Sequence, residues 1–559
     1  MSKGEEQDKL SRRKYLQVVG GTVAGLVVGG ALGYVGKPTV TAPAETVTST
    51  VTETVTGTVT APPPTTQPPA KKFEGVTITL MQLTGPYFSM AGKPEIYHEW
   101  EQETGGKVIV DQLAFPDLHP KLVAALISGT ATWDLVNWGP PFYGDVAGTG
   151  GLEVLDKYIT DPNRRPADWD DVLPGIQAYN SWNGHYYSFP GDGDTATMYY
   201  RKDLLANADH QANFKKKFGY DMPSPDTGPR TWSQFNDVAE FFNGWDWGEG
   251  GRSKFGTLRG IGKVYNTWQY GFLPYLFPYV KMPGPVDKYH GVAYFDPETM
   301  ECLMNQPGHV KAAEMFVESF KKGSSEFDLG ISALDAWNMY VRGDIALAIA
   351  PGNIGPMEFS SVSTVNGKVG HNLLPGAEQV YDQQSKSWLT VSTKDPLPEP
   401  GATKDINFVP YCTWGGWVNS IPVTSKVKDA AYDYAAWIGG KKASLELCLT
   451  MEPEQSGVNP FRYSHLQWEP WKAAGFTDPN YVLAQGLSYA HENNMRDMRI
   501  PGTLEYYDAI DVNMGKALTG SIEPKQAMEN IYNTWTDITK RKDVKKQLQF
   551  YRQDLGLPV

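Results

Sequence analysis

Apolar residues along the chain form short continuous runs and longer runs with a helical period, beginning near residue 75. The run Gly75–Leu83 is β-rich and has no helical period, so it predicts a buried strand. A helix from about Pro94 to Glu103, a strand at Lys107–Leu113, a helix from Pro116 to Ile127 and a strand at Asp134–Trp138 follow. This strand–helix–strand order predicts a mainly parallel sheet covered by helices.

Aromatic residues lie at the ends of two of these predicted strands. Tyr87 and Phe88 follow the first strand, and Trp138 closes the third. In sheets of this kind, ligands bind at the carboxyl ends of the strands. We therefore predict ligand contacts at these three aromatic residues, with core packing as the alternative for Trp138.

The stretch Tyr186–Leu205 predicts a crossing between two lobes. Alternating apolar residues on both sides are typical of strands, and one Pro with two Gly between them predicts a change of direction. Asp192 and Asp194 are two residues apart and would share one face of an extended segment. Because small ligands bind in clefts between lobes, both carboxylates are candidate ligand contacts. The alternative is an ordinary Asp-Gly loop exposed to water.

Helices and strands continue beyond this crossing. Helices are predicted at about Thr231–Phe242, with Thr231 as the cap, and at His309–Lys322. An aromatic segment, Tyr265–Tyr279, lies between them. A further buried strand is predicted at Asp344–Ala350.

The last part of the chain predicts a second crossing between the lobes. Glu378–Lys404 is polar and contains Pro, which predicts a long surface loop. Phe408–Ile421 then predicts the crossing, with Trp-Gly-Gly-Trp at its centre. Lys426–Met451 is predicted to be helical, Ser456–Pro460 breaks the chain, and the remainder is mostly helix.

The N-terminus predicts an export and anchoring segment rather than part of the fold. Ser11–Gln17 resembles a twin-arginine export signal, and the uncharged run Tyr15–Val35 is long enough as a helix to span a bilayer of roughly 30 Å. The positive-inside rule places residues 1–14 in the cytoplasm, 15–35 in the membrane and the rest outside. Retention as a transmembrane anchor is favoured, and Ala42-Pro43-Ala44 leaves cleavage as a signal peptide open.

Residues 36–72 predict an extracellular stalk. Thr alternates with Val, Ser or Glu and is followed by a Pro-rich stretch, a composition that cannot bury a core. The density of Thr suggests O-glycosylation, so we expect a glycoprotein. No Asn begins an Asn-x-Ser/Thr sequon, so N-linked sugars are not expected.

Length and composition narrow the class of protein. A chain of 559 residues exceeds one compact core and predicts two large lobes. A net charge of −13 argues against a nucleic-acid partner, because phosphate binding requires a basic face. Cys302, Cys412 and Cys448 lack metal-ligand spacing, so we expect no metal site, no disulfide framework and no cofactor. The 17 Trp and 30 Tyr supply flat surfaces on which sugar rings stack.

A set of short segments between about residues 75 and 540 follows a recognisable order. The segments are SGTATWDLVNW, YYSFP with TMYYRKDLL, PRTWSQFNDVA, GDIALAIAPGN, GGWVNSIPVTSKVKDAAYDYAAWI and GKALTGSIEPKQAMENIYNTW. In this order the chain resembles the extracellular solute-binding proteins of ABC importers, in the large sugar-binding class that includes maltose-binding protein. It lacks the lipid-attachment Cys common in anchored members, and its N-terminal helix and stalk resemble those of archaeal surface proteins.

The resemblance implies an α/β fold of the periplasmic-binding-protein type, with two lobes of mainly parallel sheets flanked by helices and a multi-strand hinge. Residues 73–190 plus 411–456 would form lobe 1, and residues 191–410 plus 457–559 would form lobe 2. The protein would lie at the cell surface, anchored in the cytoplasmic membrane. It would capture a sugar or oligosaccharide between the lobes and deliver it to ABC transporter permease subunits, without chemistry on the ligand.

The resemblance also implies which residues line the cleft. It places there Trp138, Asp194, Trp268, Tyr270, Gly352, Asn353 and Tyr506. For Trp138 and Tyr506, core packing is the alternative.

Four further residues complete the candidate site on chemical grounds. Pyranose faces pack on Trp and Tyr, while sugar hydroxyls need planar donors and acceptors. Asp192, Trp414 and Arg462 meet these needs, and Gly416, at the centre of the second crossing, is the fourth residue. The alternatives are a hinge plug for Trp414 and an ion pair with a neighbouring carboxylate for Arg462.

Three other functions stay open. Asp192 and Asp194 could be the acid–base pair of a glycosidase, but two Asp in a polar Gly-rich turn are a poor setting for the raised pKa that this chemistry needs. The ligand could instead be a peptide, polyamine or metal chelate, or the fold could be a surface-layer or adhesion scaffold.

Three segments look like insertions that could cap the cleft and change its ligand specificity. They are Asp209–Pro229, Gly244–Lys254 and Glu378–Lys404.

Overall fold

The computed structural model describes residues 71–85, 93–262, 267–395, 397, 405–450 and 457–559. The predicted export motif, membrane segment and stalk up to residue 70, together with Tyr87 and Phe88, lie outside these ranges. Within the ranges, no helix combines the length and the apolar character needed to cross a membrane.

The strands are short, and most belong to two sheets. In chain order they are β1 (Thr77–Leu83), β2 (Lys107–Leu113), β3 (Leu135–Trp138), β4 (Ser181–Trp182), β5 (His185–Tyr186), β6 (Phe189–Pro190), β7 (Thr197–Arg201), β8 (Phe255–Thr257), β9 (Ile345–Ala350), β10 (Val369–Leu373), β11 (Val380–Asp382), β12 (Ser387–Leu389), β13 (Tyr411–Cys412), β14 (Val418–Ser420) and β15 (Met495–Arg496).

Helices separate and cover these strands. The α-helices are Pro94–Thr104, Phe115–Ser128, Tyr143–Val146, Asp156–Ile159, Pro174–Tyr179, Lys202–Ala206, Ala208–Phe218, Trp232–Phe242, Leu273–Val280, Pro307–Gly323, Ala333–Val341, Ile354–Met357, Lys428–Ile438, Lys441–Cys448, Trp468–Ala473, Asn480–Ala490, Thr503–Leu518, Pro524–Arg541 and Val544–Asp554. A π-helix at Thr267–Phe272 precedes one of them.

The first sheet has the strand order β2-β1-β3-β14-β6. Strands β2, β1 and β3 are parallel, as the strand–helix–strand pattern predicts. Strand β14 is antiparallel to both of its neighbours. It comes from the second crossing and enters the sheet at the carboxyl edge of β3, since Val418 pairs with Trp138, so it must run back along that strand.

The second sheet has the order β10-β7-β9-β8, and only its β8–β9 pair is parallel. The prediction of mainly parallel sheets is therefore wrong for this half of the fold, although the α/β class holds. Strand β7 begins beside the end of β9, where Thr197 pairs with Ala350. A strand that enters from the crossing at that edge runs antiparallel to its neighbour.

Two predicted segments differ in detail. The segment Lys426–Met451, predicted to be helical, contains the two helices Lys428–Ile438 and Lys441–Cys448, because the chain turns at Gly439-Gly440. The predicted surface loop at Glu378–Lys404 contains the hairpin β11–β12. By contrast, the cap prediction is confirmed, since the Thr231 hydroxyl accepts a hydrogen bond from the Gln234 backbone N–H at 3.3 Å.

Three stretches of chain meet between the two sheets. Ala196, in the first crossing, forms an antiparallel bridge with Tyr411 in the second. The backbone N–H of Asn459, in the third stretch, donates to the Asp192 carboxylate. Cys412 in β13 also pairs with Arg496 in β15, which ties the C-terminal region to the same place. The candidate site lies at this meeting point.

Candidate functional site

The Gly-Asp-Gly-Asp turn of the first crossing is buried rather than exposed to water. Asp192 is 0% exposed and Asp194 is 6% exposed. The alternative of an ordinary solvated Asp-Gly loop is therefore wrong. Burial comes from the second and third crossing stretches, which pack against this turn and are distant from it in sequence.

Asn459 bridges the two carboxylates. Its backbone N–H donates to Asp192 Oδ1 at 2.6 Å, and its side-chain Nδ2 donates to Asp194 Oδ1 at 2.5 Å. The Gly193 backbone N–H adds a hydrogen bond to Asp192 Oδ1 at 2.7 Å. The other oxygen of the first carboxylate, Asp192 Oδ2, is buried and has no hydrogen-bonding partner in the part of the chain that the structure describes.

The two carboxyl groups have raised pKa values. For Asp192, burial is the largest cause and lifts the pKa to about 7. For Asp194, burial raises the pKa well above its ordinary value, and repulsion from Asp192 raises it further. Two carboxylates this close cannot both ionise easily, so the pair retains a proton near neutral pH. The predicted polar setting without a raised pKa is therefore wrong.

Two glycines permit the close approach of these stretches. Gly416 has φ of +84°, and a Cβ there would lie 2.0 Å from the backbone oxygen of Asp192. A Cβ on Gly352 would lie 2.0 Å from the side-chain oxygen of Asn459. Asn353 Nδ2 donates to the Gly457 backbone oxygen at 3.3 Å. Gly352, Asn353 and Gly416 thus position the backbone around the carboxyl pair.

Trp414 lies beside the end of β3. Its backbone has φ of +57°, and its N–H donates to the Asp497 carboxylate at 2.6 Å. Its ring stacks on Trp417 with centroids 5.3 Å apart, and Phe142 packs edge-on against it at 5.5 Å. The indole Nε1 is buried and finds no acceptor among the described residues.

Trp268 and Tyr270 both come from the π-helix. The Trp268 ring stacks on Tyr507, and its indole Nε1 is buried without an acceptor in the described ranges. The Tyr270 hydroxyl accepts a hydrogen bond from Gln269 Nε2 at 3.0 Å. Burial raises the pKa of Tyr270 well above its ordinary value, and the nearby negative charge of Asp194 adds to this effect. Tyr270 is thus in electrostatic reach of the carboxyl pair.

Two predicted site residues, Trp138 and Tyr506, have other roles in the structure. The Trp138 indole N–H donates to Ser420 Oγ at 2.9 Å inside the first sheet, which fits the core-packing alternative. The Tyr506 hydroxyl lies 2.9 Å from Thr539 Oγ1 between packed helices, so this ring is in the core and not at the site. Its neighbour Tyr507 is the residue that meets Trp268.

Arg462 is also used inside the protein. Its guanidinium donates to the backbone oxygens of Gly439 and Asp168 at 2.8 and 2.9 Å. It lies 3.5 Å from the Asp168 carboxylate and 3.7 Å from that of Asp171. The predicted sugar contact is therefore replaced by the alternative, an ion pair with neighbouring carboxylates.

Sequence reasoning missed three residues of this cluster. Asn459 lies in a Gly-Val-Asn-Pro stretch that indicates only a chain break, although Asn before Pro in a turn is a signal for a positioned amide. Tyr507 is the second of an adjacent Tyr pair, and helix phase alone does not choose between the two. Asp497 carries no local signal.

The candidate residues offer flat rings and buried polar atoms without partners among the described residues. Asp192 Oδ2 can accept a hydrogen bond, and the indole N–H groups of Trp268 and Trp414 can donate one each. Buried polar atoms without partners cost free energy, so a polar ligand that pairs with them is stabilised. Within the described ranges, no group of three or more His, Cys, Asp or Glu is arranged to hold a metal ion.

Known binding proteins are similar to parts of this sequence. The maltotriose-binding protein of Pyrococcus abyssi is 33% identical over 95 residues, which are 16% of this chain and 19% of that protein. The mannitol-binding protein of Pseudomonas aeruginosa is 23% identical over 385 residues, which are 65% of this chain and 72% of that protein.

Solved structures share the fold. A solute-binding protein of Agrobacterium radiobacter K84 in complex with ribitol has a TM-score of 0.60 at 19% identity, covering 84% of this chain and 100% of that chain. Maltose-bound MalE3 of T. maritima has a TM-score of 0.59 at 20% identity, covering 83% and 100%.

The family match covers the second sheet, the carboxyl pair and every strand of the first sheet except β1. Residues 95–475, more than half of the chain, match the family described as bacterial extracellular solute-binding protein. These solved structures confirm the predicted α/β fold of the periplasmic-binding-protein type. The chain belongs to the family of bacterial extracellular solute-binding proteins.

Proposed function

We propose that this protein captures a sugar or oligosaccharide between its two lobes and delivers it to the permease subunits of an ABC transporter, without chemistry on the ligand. The observation that carries the proposal is the set of three buried, unpaired polar atoms beside aromatic rings: Asp192 Oδ2, Trp268 Nε1 and Trp414 Nε1. Sugars present both hydroxyls and C–H faces, so one ligand class uses the atoms and the rings together.

The relatives support this ligand class. The two related proteins are maltotriose- and mannitol-binding, and the two solved structures hold ribitol and maltose. All four ligands carry several hydroxyl groups. The predicted lobe bounds, residues 73–190 plus 411–456 and residues 191–410 plus 457–559, would put the carboxyl pair and Trp268 in the second lobe and Trp414 in the first.

The N-terminal segments complete the proposal. Residues 1–14 would lie in the cytoplasm, residues 15–35 would anchor the chain in the membrane, and residues 36–72 would form the extracellular stalk. The stalk would keep the binding lobes tethered near the permease. Cleavage after an export signal and O-glycosylation of the stalk are separate proposals, which mass spectrometry of the mature chain would test.

One observation favours a second function, glycoside hydrolysis. The Asp192–Asp194 pair is buried and holds a proton near neutral pH, which is the property of a general acid. Against this, Asp192 Oδ1 accepts two backbone N–H bonds and Asn459 holds both carboxylates, so the pair ties the crossings together. We therefore rank capture above catalysis.

Isothermal titration of the purified full-length chain tests the proposal. The panel comprises di- and oligosaccharides, sugar alcohols, polyamines and short peptides. One-to-one sugar binding, weakened by Trp268→Ala and unchanged by the core variant Tyr506→Phe, with the sugar recovered intact, supports capture. Turnover of a glycoside that is lost in Asp192→Asn supports the enzyme instead. Tight binding of a polyamine or peptide alone would reject the sugar assignment.

A further inference from the structure

A cavity borders the carboxyl-pair cluster, since Asp497 belongs to both. Its volume is about 520 Å³, a size typical of small-molecule sites. Its lining includes Pro174, Tyr179, Lys281, Tyr294 and residues of the C-terminal region. None of Asp192, Asp194, Trp268 or Trp414 contributes to its wall.

Three cations face this cavity without a carboxylate partner. Lys281, Lys394 and Arg496 line it, and none of them forms a salt bridge within the described part of the chain. Lys281 is only 5% exposed, and its Nζ donates to Asn493 Oδ1 at 2.8 Å. A buried ammonium held by one neutral amide keeps two donors and its charge available. In a chain with a net charge of −13, unpaired cations at one cavity are unexpected by composition.

The acidic residues of the wall are ion-paired, hydrogen-bonded or exposed to water. Asp554 forms an ion pair with Arg499 at 2.8 Å. Asp497 accepts hydrogen bonds from the Tyr411 hydroxyl and from the backbone N–H of Trp414. Glu492 is exposed. The cavity therefore presents more unpaired positive than negative charge.

Burial lowers the pKa of Lys281, as expected for an ammonium group in a buried anion site. Desolvation lowers the pKa of its ammonium to about 8. An anion bound beside the ammonium would offset that cost and raise the pKa again. His491, whose own pKa is lowered chiefly by burial, has its Nε2 2.7 Å from the Lys394 backbone oxygen and so borders the same region.

We propose that this cavity binds a small organic anion through Lys281 and Arg496, with a carboxylate or phosphate group toward the cations. Tyrosine rings at Tyr179, Tyr294 and Tyr463 provide surface for the body of the ligand. The guanidinium of Arg496 lies over the Tyr179 ring at 5.7 Å, which holds it at the wall. The cavity shares Asp497 with the sugar-site cluster, but its cations are not part of that cluster.

Titration of the full-length chain with three probes tests it: citrate, inorganic phosphate and adenosine monophosphate, each at constant ionic strength against sodium chloride. We expect one-to-one binding of at least one probe. Lys281→Gln should weaken it at least tenfold, and raising the pH from 7 to 9 should weaken it as the ammonium deprotonates. Preference between citrate and adenosine monophosphate distinguishes a carboxylate from a phosphate ligand.

Controls separate this site from others. Lys525→Gln makes the same charge change on an exposed helix and should leave the affinity unchanged, as should Trp268→Ala at the sugar site. Arg496→Gln gives a second test if Lys281→Gln does not fold. Absence of binding by all three probes, or equal affinity in Lys281→Gln and Lys525→Gln, would overturn the proposal, whether or not sugar binds.

Discussion

The indole of Trp268 stacks on the ring of Tyr507, with centroids 4.2 Å apart and planes inclined by 29°. Trp268 lies in the π-helix Thr267–Phe272, and Tyr507 lies in the helix Thr503–Leu518. The Trp268 backbone N–H also donates to Asp511, one turn beyond Tyr507, at 3.0 Å. A π-helix widens one turn, and such turns are frequent at functional sites. Here the π-helix is held to the helix Thr503–Leu518 by the stacked rings and by this hydrogen bond.

This stacking predicts a loss of sugar affinity in Trp268→Ala. The variant removes the flat ring and the unpaired indole N–H together, so we expect the dissociation constant to rise at least tenfold, or about 1.4 kcal/mol. Isothermal titration with the best sugar of the panel measures it. Tyr506→Phe is the control, because that hydroxyl bonds Thr539 in the core. Equal affinity in wild type and Trp268→Ala would remove Trp268 from the site.

Much of the fold is predictable from the sequence because its signals are local. The apolar run of β1 and the cap at Thr231 carry their own periodicity and chemistry, and both occur where the pattern places them. Strand directions at the crossings are not predictable in this way. Whether β14 runs parallel or antiparallel depends on the edge at which it enters, and that edge is set by the other half of the molecule.

The site is less predictable than the fold. Asp192 and Asp194 are candidates because of their spacing, yet their burial comes from Asn459, more than 250 residues away along the chain. Tyr506 and Tyr507 differ by one residue, which rotates a side chain by about 100° around the helix axis. Only packing against Thr539 or Trp268 decides which of the two reaches the site.

We predict that replacing Gly416 by alanine strongly destabilises the folded protein. Alanine there would adopt a left-handed conformation, which costs about 1–2 kcal/mol, and its Cβ would collide with the backbone oxygen of Asp192. We expect Gly416→Ala to lower the free energy of unfolding by about 3 kcal/mol or more. Gly367→Ala is the matched control, since Gly367 has φ of +76° but an added Cβ there would meet no atom of the described residues within 4 Å. Urea unfolding measures both, and equal losses would contradict the close contact at Gly416.

We predict that replacing Arg462 by methionine lowers the stability of the protein without weakening sugar binding. Arg462→Met leaves the buried carbonyl oxygens of Gly439 and Asp168 without their donor, so we expect about 3–5 kcal/mol less free energy of unfolding. Arg541→Met is the control, because that side chain is 63% exposed and its pair with Glu505 should contribute at most about 1 kcal/mol. The folded Arg462→Met protein should bind sugar as wild type does. A tenfold loss of affinity would return Arg462 to the site.

The carboxyl pair predicts a specific pH dependence of stability. In the unfolded chain an Asp has a pKa of about 3.9, whereas burial lifts that of Asp192 in the folded protein to about 7. The folded state therefore binds more protons between these values, and this contribution to stability is lost as the pH rises from about 4 through 7. Asp192→Asn keeps an oxygen that accepts the Gly193 and Asn459 N–H bonds, and it also removes the repulsion that acts on Asp194.

We therefore expect the free energy of unfolding to fall more steeply with rising pH in wild type than in Asp192→Asn, by a few kcal/mol over this range. Urea unfolding at half-unit steps from about pH 4.5 to 7.5 gives the two profiles. Other titrating groups affect both proteins, so the difference between the profiles isolates the pair. Asp508→Asn changes an exposed carboxyl on the helix Thr503–Leu518 and should give a profile parallel to that of wild type. If Asp192→Asn is also parallel to wild type, the pKa of Asp192 is not raised in the folded protein and the retained proton is refuted.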